Sequence, residues 1–134
     1  MRRELKWSLT VAAGTVLLLA AGCGRGLKGR DYTVRAMVVQ APDPANSAAG
    51  LYLYHEAVDD WIGRDGKMDG MDTMAMPFPV ARGVSLAGIR TNDKVEVTMH
   101  VDWDAAAPVE IIHLRKLPPD TKLVFRAAKP PQSP

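Results

Sequence analysis

Residues 94–103 read KVEVTMHVDW, and they give the clearest structural signal in the chain. Apolar side chains occupy every second position and polar side chains fill the positions between them. This is the period of two that a half-buried β-strand requires. The stretch therefore predicts a strand with one face on an apolar core and the other face towards solvent.

Weaker strand signals lie on both sides of this stretch. Residues 32–40, 51–58, 109–117 and 122–126 are rich in β-branched, aromatic or alternating apolar side chains. Residues 74–80 look extended, but Pro77 and Pro79 exclude a regular interior strand and indicate an edge. No stretch after Cys23 shows convincing helical periodicity. About five short strands separated by turn residues predict an all-β fold, a small and mostly antiparallel barrel.

The first 22 residues have the pattern of a bacterial secretion signal. Arg2, Arg3 and Lys6 form a basic start, and the apolar stretch that follows is too short and too early for a spanning helix. The small residues before Cys23, the single cysteine, resemble a lipoprotein signal. That resemblance implies cleavage before Cys23 and attachment of lipid to it. The alternatives are a plain secretory signal that leaves a free thiol and an uncleaved N-terminal anchor.

The rest of the chain is long enough for one small domain. We expect a signal peptide over residues 1–22, a flexible tether over 23–31, a β-barrel domain over 32–126 and a disordered tail over 127–134. The signal carries three of the 17 Lys and Arg residues and one of the 15 Asp and Glu residues, which leaves 14 of each. Nucleic-acid binding therefore has no electrostatic support. We expect a lipid-anchored protein on the periplasmic side of the envelope. The residue after Cys23 is Gly24 and not the aspartate that acts as a retention signal, which favours attachment to the outer membrane.

A cluster of methionines marks the candidate site. The chain has seven methionines, and four of them fall between residues 68 and 76. Asp69, Gly70 and Asp72 lie in the same segment and would be costly to bury, so part of it faces water. Thioethers gathered at a surface indicate a soft metal ion, with Cu(I) or Ag(I) first among the candidates.

The candidate ligands follow from the geometry of an extended chain. Residues two apart project the same way, so Met74 and Met76 can hold one ion together. Met71, across a turn, can reach the same ion, whereas Met68 is expected to stay unligated. His55 ends the strand that leads into this segment and is the natural histidine to join them. The alternatives are ordinary barrel packing for the methionines and a surface position for His55.

Four stretches of the sequence resemble the periplasmic copper-binding proteins of the copper/silver efflux chaperone type. They are residues 55–58 (HEAV), 71–80 (MDTMAMPFPV), 88–97 (GIRTNDKVEV) and 111–117 (IIHLRKL). The resemblance spans residues 32–117. It implies a five-stranded OB-like antiparallel barrel that binds Cu(I) or Ag(I) through one histidine and two methionines. Carried over to this chain, those ligands are His55, Met74 and Met76.

The chain departs from this family in three places. Met71 stands where the efflux chaperone has a tryptophan stacked on the metal, and Ala75 replaces a common threonine. Residues 59–70 are longer than the family's usual connection between the histidine and the methionines. Trp61 lies in this insertion, where it can either cap the metal through a cation–π contact or serve in packing.

These features predict a copper chaperone or buffer of the cell envelope. Its partners would be the copper ion, a copper efflux or copper-enzyme assembly protein, and the membrane through the lipid. The alternative is an OB-like structural or protein-interaction lipoprotein without a functional metal site, in which residues 59–70 and Trp61 form a docking surface. We expect no enzymatic activity, because the sequence has no Ser/His/Asp arrangement, phosphate loop or paired buried carboxylates.

Overall fold

The computed structural model of the protein describes residues 28–42 and 50–131. The predicted signal peptide, Cys23 and most of the predicted tether lie outside these residues. Among the residues described, no helix is long and apolar enough to cross a membrane. Five strands are present: β1 (Arg30–Gln40), β2 (Leu51–His55), β3 (Met74–Phe78), β4 (Lys94–Val101) and β5 (Val109–Lys116).

The five strands form one antiparallel sheet that closes on itself. Their order is β3-β2-β1-β4-β5, so β1 lies in the centre and pairs with both β2 and β4. The chain just after β3 meets β5 in a parallel bridge between Val80 and Ile111. The Ile111 amide donates to Pro79 O at 2.8 Å, and the Ala81 amide donates to Ile111 O at 2.9 Å. The prediction of an all-β, five-stranded OB-like barrel is confirmed.

The core is built from the alternating apolar positions of the strands. In β4, Val95, Val97, Met99 and Val101 are buried, as the sequence pattern predicts. β1, β2, β3 and β5 contribute their own inward residues to the same cluster. Gly50 precedes β2 with a φ of +70°, and a Cβ there would lie 2.6 Å from Phe78 O. Glycine therefore allows β2 to start close against the end of β3.

The structure differs from the sequence prediction at both ends of the domain. β1 begins at Arg30 rather than at residue 32, because Arg30 and Asp31 still find partners in β4. Residues 122–126, predicted as a last short strand, form none. The tail predicted as disordered from residue 127 is described as far as residue 131. The amides of Ala128 and Lys129 donate to carboxylates elsewhere in the domain, which gives these residues a fixed path.

Residues 59–70, the insertion between β2 and β3, fold back on themselves. Val58 pairs with Met71 and Ile62 pairs with Met68 in isolated antiparallel bridges. The tip is a turn in which Asp65 Oδ1 accepts the Lys67 amide at 3.0 Å. The insertion is therefore an outward extension of the β2–β3 hairpin, and the strands on either side of it keep their pairing.

Candidate metal centre

His55 is the last residue of β2 and points into the barrel. It continues the inward face of Leu51 and Leu53, and its exposed fraction is 0%. Its ring lies edge-on to Phe78, with 5.8 Å between the ring centroids. The predicted alternation of β2 is confirmed, and the alternative of a surface position for His55 is wrong.

The two ring nitrogens of His55 have different surroundings. Nδ1 lies 2.7 Å from the carbonyl oxygen of Glu56, which can only accept, so Nδ1 carries the proton. Nε2 therefore holds a lone pair, and it is buried without any hydrogen-bond partner. Burial lowers the pKa of His55, against a smaller opposing effect of the bond to Glu56 O. A buried polar atom left in this state costs about 1–3 kcal/mol.

A histidine that donates through one nitrogen to a backbone carbonyl and leaves the other nitrogen free has the arrangement of a metal ligand. The bond to Glu56 O fixes the tautomer and the orientation of the His55 ring. Nothing in the described residues uses the lone pair of Nε2. A cation that accepts an imidazole ligand, such as Cu(I), would satisfy this lone pair.

The strand register brings the methionines to the same face as His55. Met74 lies directly opposite His55 across the β2–β3 pair, and Met76 lies opposite Leu53. Directly opposed residues in antiparallel strands have Cβ atoms about 4.5–5.5 Å apart. Met76 is half-buried, whereas Met74 is 41% exposed, so the face opens to solvent at Met74.

Met71 reaches this end of the barrel through the hairpin extension. Its amide donates to Val58 O at 2.8 Å, and its carbonyl accepts the Val58 amide at 2.9 Å. Its side chain is partly buried against the core. The predicted ligand set of His55, Met74, Met76 and Met71 thus lies on one hairpin, and its coordination of a metal stays a prediction.

Trp61 packs in an aromatic cluster. Its ring centroid lies 4.8 Å from that of Tyr32 and 5.9 Å from that of Trp103. Tyr32 Oη accepts the Ile62 amide at 3.0 Å, and Trp103 Nε1 donates to Ile62 O at 3.2 Å. These contacts anchor the insertion to the barrel, as the packing interpretation of Trp61 requires. A role as a metal cap stays a prediction.

The sequence did not reveal the residues that support the Glu56 carbonyl. Arg35 on β1 binds the Glu56 carboxylate through Nε at 2.9 Å and Nη2 at 2.8 Å. The Glu56 amide donates to Arg35 O at 2.9 Å. Glu56 is therefore held by both its backbone and its side chain, and its carbonyl presents a fixed acceptor to His55 Nδ1. The distance of 21 residues between Arg35 and Glu56 gives no local sequence signal for this pair.

The other two histidines have different surroundings. His113 lies exposed on β5, opposite Thr98. His100 uses both ring nitrogens, because Nδ1 is 2.7 Å from Asp31 Oδ1 and Nε2 is 2.9 Å from Lys28 O. Neither nitrogen of His100 is available to a metal.

The pKa of His100 should lie above the ordinary value for histidine. Both of its partners are acceptors, and the hydrogen bond to Asp31 raises the pKa of His100 above 6.5. Its contribution to stability is therefore present below pH 6.5 and is lost as the pH rises through the folded pKa. We expect Asp31→Asn to lower this pKa, measured by NMR titration of the ring protons. Asp102→Asn, which removes only a more distant charge, should lower it less. A His100 that titrates below 6.5 in the unsubstituted protein would contradict this assignment.

The described residues contain no group of three or more His, Cys, Asp or Glu side chains that could hold a metal ion. The β2–β3 hairpin instead brings one imidazole, that of His55, and the thioethers of Met74 and Met76 to one face.

No protein-family model and no curated protein matches the chain. Among solved structures, it is similar to apo-CusF residues 6–88 from Escherichia coli, with 15% sequence identity. The match covers 68% of this chain and 94% of the CusF chain, with a TM-score of 0.41.

Proposed function

We propose that this protein binds one Cu(I) ion, or Ag(I) in its place, between His55, Met74 and Met76. The observation that supports this most is the buried, unpaired Nε2 of His55 on the face that it shares with both methionines. Thioethers select Cu(I) among the common metals, and neutral imidazole is also a ligand for copper. Met71 is proposed as a further ligand, because the hairpin extension brings it to the same end of the barrel.

The ion is cargo in this proposal, and no reaction is attributed to the site. The sequence resemblance of residues 55–58 and 71–80 supports a role as a copper chaperone or buffer. Such a protein passes the ion to an efflux or copper-enzyme assembly protein. The lipoprotein-like signal that ends before Cys23 supports attachment to a membrane on the periplasmic side. Thioethers suit such a compartment, since they carry no proton near neutral pH and form no disulfides.

A structural or protein-interaction lipoprotein without a metal site is the alternative. In that alternative, Trp61 and its insertion form a docking surface for a partner protein. The Trp61 ring packs against Tyr32 and Trp103, which leaves it less available to a partner. The unpaired Nε2 of His55 has no explanation in that alternative.

A competition titration tests the proposed function. The chain from Gly24 would be used, because all five strands and their described contacts lie within residues 28–131. It would be titrated anaerobically with Cu(I) against a chromogenic chelator. We expect one tightly bound Cu(I) per chain. Failure to compete with the chelator for Cu(I) would overturn the proposal and favour the interaction module.

The affinity should persist into mild acid. Burial lowers the pKa of His55 below 6.5, and thioethers do not titrate, so protons begin to compete with Cu(I) only below that value. We expect a nearly constant dissociation constant from neutral pH down to 6.5, followed by weakening at lower pH. The same titration repeated at several pH values measures this. A tenfold loss of affinity per pH unit above 6.5 would contradict it.

A further inference from the structure

The chain after β5 returns to the hairpin that carries the candidate ligands. Residues 124–130, here called the strap, contain no regular secondary structure, yet four of their backbone amides donate to side-chain oxygens. The donor–acceptor pairs are Val124 to Glu56 Oε1 at 2.6 Å, Arg126 to Thr73 Oγ1 at 3.0 Å, Ala128 to Asp72 Oδ1 at 2.7 Å, and Lys129 to Asp59 Oδ1 at 2.7 Å.

The acceptors of these bonds flank the candidate metal ligands. Glu56 follows His55 directly, whereas Asp72 and Thr73 are the two residues between Met71 and Met74. The fourth acceptor lies in the insertion on the other side of the hairpin. The strap therefore contacts both arms of the β2–β3 hairpin, the segment that follows β2 and the segment that leads into β3.

The strongest attachment of the strap is Arg126. Its guanidinium binds the carboxylate of Asp59 through two bonds of 2.8 Å. The bond to Arg126 lowers the pKa of Asp59 to about 2, so the pair stays charged over the whole neutral and mildly acidic range. The carbonyl of Arg126 also accepts the Thr73 amide at 3.1 Å. Arg126 thus links the insertion to the residue immediately before Met74.

Side-chain packing adds to these bonds. The ring of Phe125 lies 4.2 Å from that of Tyr54, centroid to centroid. Gly70 has a φ of +73°, and a Cβ there would lie 2.6 Å from Ala128 Cβ. The strap is therefore in close contact with the chain that leads into Met71.

We propose that the strap is a positioning element of the metal site, with Arg126 as its central residue. It fixes the backbone from Met71 to Met74 against Asp59 and so limits the rate at which the thioethers release the ion to an acceptor. This inference rests on the proposed function, because it concerns the same ion. An acceptor that displaces the strap would receive the ion faster than one that does not.

The test compares Arg126→Ala with the unsubstituted chain from Gly24. Loss of a residue that hydrogen-bonds a metal ligand typically costs about 10–100-fold in metal affinity. Arg126 contacts Asp59 and Thr73 rather than a candidate ligand, so the lower end of that range applies. We expect transfer of Cu(I) to a chromogenic chelator, followed by stopped flow, to become about tenfold faster at unchanged stoichiometry. Arg126→Lys, which keeps the charge but not the paired bonds, should fall between the two. Arg115→Ala is the matched control, because it removes an exposed arginine–carboxylate pair with Glu96 on another part of the barrel.

Hydrogen exchange of the apo proteins provides a readout that needs no metal. In Arg126→Ala we expect faster exchange at the Thr73 amide and unchanged exchange at Val97 in the core. Unchanged exchange at the Thr73 amide would show that Arg126 does not hold this part of the backbone, and would overturn the positioning role of the strap. Faster exchange at Thr73 with an unchanged transfer rate would leave the strap a structural element and overturn its role in release. If the unsubstituted chain binds no Cu(I), the proposed function fails together with this inference, whatever the exchange data show for the apo protein.

Discussion

Replacing His55 with leucine is expected to abolish tight Cu(I) binding without weakening the apo fold. The substitution removes the proposed nitrogen ligand and also removes the buried atom that has no partner. Relief of that unsatisfied group is worth about 1–3 kcal/mol, against about 1 kcal/mol for the lost bond from Nδ1. We therefore expect the free energy of unfolding of the apo protein to stay constant or to rise by up to about 2 kcal/mol.

Two measurements on His55→Leu check this expectation. Chemical denaturation of the metal-free protein gives the stability, and the chelator competition gives the affinity. His113→Leu is the matched control, because His113 is exposed and should affect neither quantity strongly. A purely structural His55 predicts the opposite pattern, with a clear loss of stability and no effect on metal. That result would remove the main support for the metal site.

The double variant Met74→Leu/Met76→Leu is expected to weaken Cu(I) binding by more than about 100-fold, because even the loss of residues that only support ligands costs about 10–100-fold. Leucine keeps the apolar character and approximate volume of methionine, so the barrel should tolerate both changes. The two substitutions therefore remove the soft thioether sulfurs and leave the side chains otherwise similar in size and polarity. The affinity, measured by chelator competition, isolates their contribution.

Met99→Leu is the control for the methionine variant. Met99 lies on β4 with an exposed fraction of 0% and belongs to the core. We expect it to alter stability by less than about 1.5 kcal/mol and to leave Cu(I) affinity unchanged. Equal loss of affinity in Met99→Leu and in the double variant would indicate a general effect of core packing and would argue against thioether ligation.

The sequence predicts a strand and its inward residues wherever one face of that strand is buried. The alternation in β4 identifies both the strand and its inward residues, because apolar side chains must share one face. Pro77 marks β3 as an edge in the sequence, and in the structure β3 is the first strand of the sheet, paired with β2 along its length. Closure through Val80 and Ile111 depends on contacts between residues 31 positions apart in the chain, and no local pattern encodes it.

The sequence predicts which face of β2 carries His55 but not the surroundings of its ring. The alternation of β2 places His55 with Leu51 and Leu53, but a histidine that ends a strand can as well lie at the surface. Its burial and the unpaired Nε2 depend on Phe78, on Glu56 O and on the pair of Glu56 with Arg35. These are tertiary contacts. The pairing with Met74 depends on the insertion folding outward, which its length alone does not determine.

The strap was not predictable from the sequence. Residues 124–130 lack hydrophobic periodicity and end in Pro130, a composition that usually indicates a loose tail. Their path is fixed by backbone amides that meet side-chain oxygens more than 50 residues earlier in the chain. Backbone amides are present in every sequence, so the composition of residues 127–130 does not distinguish them from a disordered tail.

The most direct test of metal binding at His55 is a long-range ¹H–¹⁵N NMR spectrum of the imidazoles, recorded before and after addition of Cu(I) to the chain from Gly24. We expect an apo spectrum in which His55 Nδ1 is protonated and Nε2 is not. One equivalent of Cu(I) should then shift Nε2 together with the methyl groups of Met74 and Met76, and leave Met99 in place. Cu(I) that binds with the His55 resonances unchanged, or an apo His55 protonated at Nε2, would contradict the assignment of this site.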